Sequence, residues 1–275
     1  MSQPLELLTE RSPLSIYAFL PSFPYKLRYL ATRLAEPENW KYDDGYSNPN
    51  DEQEFAEVKR EYSILYQYIH NTFSKAYADG KIIESPEQNY SIMNTGLMTT
   101  NFEEIFMLFK PNNRENAQRW MLDGFYCKSD HAIPQPLRSR LPEHIDYFEN
   151  NPEDMYFNIK WDIQPNIDHI LDTNFNRLPA ALQSIPDKSQ VASILDSLIN
   201  QMKKRILRNH RLVVPQYYKQ KIMYLAPLFF GNETFVLAIE KNDETYRANT
   251  ILTFGMAYCN ARLIMKPESN WLVLK

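Results

Sequence analysis

Residues 222–240 read Ile-Met-Tyr-Leu-Ala-Pro-Leu-Phe-Phe-Gly-Asn-Glu-Thr-Phe-Val-Leu-Ala-Ile-Glu, two apolar runs broken by Gly231-Asn232. A two-residue break containing glycine between aromatic and β-branched runs predicts a β-hairpin, with strands at Ile222–Phe230 and Thr234–Glu240. Tyr246–Phe254 continues the pattern as a third strand. Ala257–Ile264 reads equally as a further strand or a short helix.

A second β region lies upstream. Tyr90–Met98, Glu104–Lys110 and Arg119–Cys127 are short apolar and aromatic runs separated by Asn101 and by Pro111-Asn112-Asn113, which predicts an antiparallel meander. Met155–Ile159 is a candidate extra strand. Helical periodicity surrounds these regions. Phe55, Val58, Tyr62, Leu65, Tyr66, Ile69, Phe73 and Ala76 form one stripe that Asp79-Gly80 ends. The polar stretch Glu36–Glu54, with its Asn48-Pro49-Asn50 turn, reads as a surface loop leading into that helix. Asn166–Phe175 is a short helix, and Ser189 to about Arg208 a longer one, with Val191, Ile194, Leu195, Leu198, Met202 and Ile206 in register. Helices interleaved with hairpin-connected strands indicate α+β. The expected architecture is a mostly antiparallel sheet built from the two β regions and packed with helices. The regions are expected to join, because neither alone buries much. The chain reads as one α+β domain over 1–275, with an N-terminal helical segment 1–80 packed on it.

Composition narrows the function. Apolar residues are 44% and charged residues 23% of 275, an ordinary globular balance. Only 6 Gly occur, and neither GxGxxG nor GxxxxGK[ST] appears, which argues against glycine-loop nucleotide folds. A net charge of −4 gives no overall field for duplex DNA. Residues 200–225, however, hold seven basic side chains (Lys203, Lys204, Arg205, Arg208, Arg211, Lys219, Lys221) and no acid, whereas 143–154 hold five acids and no Lys or Arg. A binding surface and a solvated face are both compatible with the basic run over 203–221. Two cysteines without CxxC spacing fit a reducing compartment. The start Met1–Glu6 lacks the features of a secretory leader and no apolar run has membrane length, so a cytoplasmic location off the membrane is expected. His70, His131, His144, His169 and His210 make no metal-ligand spacing, and neither metal nor cofactor is expected. Cys127 sits beside Lys128, a cation able to lower a thiol pKa, although an inert buried cysteine also fits.

Candidate site residues are polar groups set among apolar ones. On the long helix, at about 100° per residue from Val191, Arg205 falls near −40° and Asn209 near 0°, within the apolar stripe. Either the helix has left the core by then and Arg205 snorkels, or Arg205, Arg208 and Asn209 line a pocket suited to phosphate or carboxylate. Asn94-Thr95-Gly96 interrupts a strand, marking a bulge or groups offered to a ligand. Asn166, His169, Asn174 and Arg177 follow closely. Tyr258 and Arg262 share a side whether 257–264 is strand or helix, with Asn260 joining them only in a strand.

Several stretches in order carry a resemblance: Met93-Asn94-Thr95-Gly96-Leu97, Asn174 to Pro179, Val214-Pro215-Gln216-Tyr217-Tyr218, Thr250-Ile251-Leu252-Thr253, Met256-Ala257-Tyr258, Asn260-Ala261-Arg262-Leu263-Ile264 and Trp271-Leu272. Together they are similar to an uncharacterised, mainly bacterial family, Domain of Unknown Function 3825. The resemblance implies no activity. It implies an RNA-associated role, by analogy with the cold-shock-like and S1-like modules joined to family members, and a site shared by Asn94, Asn260 and Arg262.

Three readings follow. The first is a protein that binds a nucleotide or single-stranded RNA, with RNA processing as an extension. Basic residues at 203–221 would track phosphates while Tyr217, Tyr218 or Tyr258 stack bases. Its ligand set is Asn94, Thr95, Arg177, Arg205, Arg208, Asn209, Gln216, Tyr217, Tyr258, Asn260 and Arg262. The second is an enzyme on a small phosphorylated or carboxylated metabolite, with Arg205, Arg208 and Arg262 as anion clamps and His169 as acid or base. The third is a non-catalytic interaction scaffold.

Overall fold

The computed structural model describes residues 12–41, 61–115, 117–267 and 272. Phe55, Val58, the Asn48-Pro49-Asn50 turn and Trp271 lie outside them. The chain divides into two compact units, Met1–Ile145 and Asp146–Lys275.

The first unit opens with α1 (Pro13–Tyr17), where Ser12 caps the N-terminus and Pro13 takes a position that needs no N–H. The short strand β1 (Ala18–Phe19) and α2 (Phe23–Tyr29) follow, α2 running into a wider π-turn at Leu30–Leu34. Helix α3 (Ser63–Ala78) buries Leu65, Ile69, Phe73 and Ala76 as the stripe requires. It stops at Asp79, and Gly80 takes a left-handed φ of 67°. The sheet then forms from β2 (Ile83–Glu84), β3 (Ser91–Met98), β4 (Glu104–Pro111) and β5 (Trp120–Cys127), in the order β1-β5-β4-β3-β2. The antiparallel meander β3-β4-β5 matches the sequence expectation, while β1 adds a parallel edge to β5. Strand β4 is apolar on both faces because both are covered. Phe106 and Leu108 pack with Ile133 and with Leu137 of α4 (Gln135–Arg138). Phe109, on the other face, meets Tyr17 and Phe73 at ring-centroid distances of 5.5 and 6.0 Å.

The second unit builds its own sheet. Strands β6 (Ile163–Pro165), β7 (Val214–Tyr218), β8 (Lys221–Phe230), β9 (Glu233–Asn242) and β10 (Thr245–Leu252) run in the order β6-β10-β9-β8-β7. The hairpin β8-β9 closes at Phe230↔Glu233. Gly231 has a φ of 58° at the first loop position, which type II′ turns reserve for glycine. Between strands lie α5 (Ile167–Thr173), α6 (Ala180–Gln183) and α7 (Lys188–Ile206), and the fold ends with α8 (Phe254–Ile264).

Alternation separates two faces of this sheet. Tyr224, Ala226, Leu228, Phe235, Leu237 and Ile239 pack against Val191, Leu195, Leu198, Met202 and Ile206 of α7. Leu225, Val236 and Ala238 are buried on the opposite side, where α8 packs against β7 and β9. The α+β class, mostly antiparallel, stands.

Two expectations are corrected and one open choice is resolved. The two β regions do not join into one sheet: each recruits a short parallel edge strand and its own covering helices, and so buries enough alone. Met155–Ile159 is not a strand. Pro152–Met155 forms a 3-10 turn, and tyrosines satisfy the following backbone: the Tyr224 hydroxyl donates to the carbonyls of Asp154 and Tyr156, and Asn158 N–H donates to Tyr246 Oη. The open choice at 257–264 resolves as helix, with the Thr253 hydroxyl capping Met256 N–H.

Candidate functional site

Asn94 and Thr95 belong to the first unit, where local geometry accounts for both. Strands β3 and β4 lose register between Asn94 and Met98, a bulge in which Gly96 has a φ of 72°. Asn94 is buried. Its amide donates to Glu104 Oε1 (2.9 Å) and to the Pro142 carbonyl (3.2 Å), and its Oδ1 accepts from Gly96 N–H (2.9 Å). The Thr95 hydroxyl donates to the Ile105 carbonyl at 2.7 Å and accepts from Leu97 N–H. These groups repair the ladder where the bulge breaks it.

The other candidates lie in the second unit. Gln216 on β7 is 1% exposed, and its Oε1 accepts from Asn260 Nδ2 at 2.9 Å. Tyr258 and Arg262 are buried on α8, four residues apart and so on one side of the helix. Asn260, about 200° around the helix from Tyr258, points elsewhere. Tyr217 lies on the opposite face of β7 from Gln216 and packs edge-on against Tyr147 at 4.8 Å. Tyr258 and Tyr217 are thus on opposite faces of the sheet and do not form one stacking platform.

The basic run divides in two. Toward the end of α7, Lys204, Arg205, Arg208 and Arg211 are exposed with Leu207. The Arg205 guanidinium sits 4.7 Å from the Phe229 ring centroid, which explains a cation on the apolar stripe. Arg208 donates to the Lys204 carbonyl, and Asn209 Oδ1 accepts from Arg211 N–H as the cap of a 3-10 turn. Lys219 lies over Tyr218, and Lys221 pairs with Glu240 at 2.7 Å. Lys221 and Phe229 mark opposite ends of β8, eight residues or roughly 26 Å apart.

His169 is exposed on α5. Arg262 lies on the sheet face opposite α7, so the structure does not bring it together with Arg205 and Arg208. Arg177 and Asn174 act as a pair on β10: Asn174 Oδ1 accepts from Ile251 N–H (2.8 Å), and Arg177 donates to the Ile251 carbonyl (3.1 Å). The Cys127 thiol is pushed up, first by burial and then by the Glu103 and Asp130 charges, against any lowering by Lys128. Among the described residues no three His, Cys, Asp or Glu side chains gather as a metal site, and no helix is long and apolar enough to cross a membrane.

One concavity went unread in the sequence. A groove of about 580 Å³ at the β6 edge is lined by Gln164, Asn166, Asp168, Asp196, Arg247 and Asn249, among others. These come from three separate segments (164–168, 196 and 247–249) that only the β6-β10 pairing and the α5-α7 packing unite.

The sequence profile of the family described as Domain of unknown function (DUF3825) matches residues 31–271. No curated protein and no solved structure matches the chain.

Proposed function

The chain belongs to the DUF3825 family, a membership that brings no activity with it, and we propose that it binds single-stranded RNA or a nucleotide through the end of α7. The observation that carries this reading is the exposed group Lys204, Arg205, Arg208 and Arg211, in a segment without an acid. Arginine forks suit phosphate oxygens, and Arg205 is already steadied by Phe229. Tyr218, 47% exposed at the end of β7 beside the start of β8, offers a second contact on which a base can stack. Buried Tyr258 is not available for that role. The two cysteines are free, which fits a reducing, cytoplasmic setting.

Fluorescence anisotropy with a labelled single-stranded RNA tests the proposal. Neutralising about four phosphates gives a slope of log K against log salt near −2.8, at roughly −0.7 per phosphate. The double variant Arg205→Ala/Arg208→Ala is expected to flatten that slope by about 1.4. No binding at low salt, or an unchanged slope in the variant, removes the proposal.

A further inference from the structure

Lys26 lies on α2 between buried Phe23 and Leu27, so its stem runs beside the stripe that holds the helix down. It is partly buried, and its amine donates to the Leu122 carbonyl at 2.7 Å. The next residue on β5, Asp123, is the extra one of a β-bulge, since Leu108 pairs with Gly124 and Phe109 with Leu122. Both Asp123 oxygens are engaged. Oδ1 pairs with Lys110 Nζ at 2.8 Å, and Oδ2 accepts from the Tyr126 hydroxyl at 2.8 Å. Gly124 makes room for that hydroxyl, because a Cβ there would lie 3.0 Å from Tyr126 Oη. Four other partly buried lysines, Lys75, Lys110, Lys203 and Lys241, each have a carboxylate within 3.3 Å. Among the described residues Lys26 makes no ion pair, and its acceptor is a neutral carbonyl.

An ammonium held this way is costly. Burial lowers the Lys26 pKa from the ordinary 10.5; the Asp123 charge on β5 opposes this, and the Lys110 charge on β4 adds to it. The neutral amine, which is the nucleophilic form, is thereby favoured. We propose that Lys26 is a site of acylation by an activated acyl group, carried as an acyl phosphate or a thioester. The Nζ lone pair attacks the acyl carbon and forms the C–N bond. The C–O or C–S bond breaks, and phosphate or thiolate leaves with the electron pair. Nitrogen gives up one proton to solvent, both Asp123 oxygens being engaged. The product is a neutral amide whose remaining N–H can still donate to the Leu122 carbonyl. A partly buried charge is removed while its hydrogen bond is kept. This site goes beyond the RNA reading and does not depend on it.

Peptide mass spectrometry of the full chain, incubated with acetyl phosphate or with an acetyl thioester, tests the proposal. Near neutral pH, Lys26 is expected to acetylate several-fold faster than the exposed Lys128 and Lys160. Because its pKa is lowered, that advantage is present at neutral pH and fades as pH rises toward the ordinary 10.5, where every amine becomes neutral. Lys110→Gln removes the repelling charge and frees Asp123 Oδ1 for Lys26, so the advantage should shrink, whereas Lys110→Arg should keep it. Circular dichroism checks that each variant folds, and the wild-type pH profile needs no variant. Modification by one donor alone identifies that donor and supports the site. The proposal is overturned if neither donor modifies Lys26, if Lys26 is no faster than Lys128 and Lys160 near neutral pH, or if its advantage does not change with pH.

Discussion

Replacing Gly96 by alanine is expected to loosen the β3-β4 pair by about 2–5 kcal/mol, from two separable causes. The first is backbone conformation. Gly96 has a φ of 72°, where a Cβ costs about 1–2 kcal/mol. The second is contact. An added Cβ would lie 2.8 Å from Tyr68 Oη, and that hydroxyl donates to the buried Thr95 carbonyl at 2.9 Å. Displacing it strips a buried hydrogen bond, a loss of about 1–3 kcal/mol. Among the described residues, chain neighbours aside, Tyr68 Oη is the one atom within 4 Å of that Cβ, so Tyr68→Phe removes the clash. Gly96→Ala should then cost only the conformational part, about 1–2 kcal/mol, in the Tyr68→Phe background. Hydrogen exchange by mass spectrometry over 91–110 reads the local opening free energy in all four proteins. If Gly96→Ala costs the same with and without the Tyr68 hydroxyl, the contact argument is refuted. If it costs under about 0.5 kcal/mol in either background, the conformational argument fails too.

Asn174→Ala strands the buried Ile251 N–H and should lower stability by about 1–3 kcal/mol in urea titration, whereas Asn174→Asp, which keeps the acceptor, should cost less. Tyr17 gives a pH dependence: burial above all, with help from the Glu84 charge and against the Ser91 hydrogen bond, pushes its phenol from 10.0 up to about 12. Because the folded pKa is raised, the stabilisation is complete below pH 10 and is lost as pH rises toward 12. Tyr17→Phe should therefore flatten the fall of stability in that window, measured by denaturant midpoints; an unchanged slope contradicts the assignment.

Much of the fold was legible because periodicity reports which face is buried. The 222–240 hairpin, the meander and the α7 stripe all formed within a residue or two of their expected bounds. Strand β7 was not read: it holds Pro215 and two tyrosines, and is completed only by pairing with β8. Met155–Ile159 misled for the converse reason. Its apolar residues look like a strand, but distant Tyr224 and Tyr246 satisfy its backbone instead.

The candidate site was legible only as a set of residue types. Sequence placed Asn94, Gln216, Asn260 and Arg262 among apolar neighbours, and that polarity is real; its purpose depended on partners many residues away. Asn94 meets Glu104 and Pro142, and Asn260 meets Gln216. For Tyr258 and Arg262, shared placement followed from four-residue spacing alone, while the exclusion of Asn260 from their side required the helix to form. The basic run was plain in the sequence, yet its division between the two ends of β8 was not. Local pattern, set by the 2-residue and 3.6-residue repeats, fixes which elements form and which face they bury. That the segments 164–168, 196 and 247–249 border one groove depends on long-range strand pairing and helix packing, and only the tertiary structure decides it.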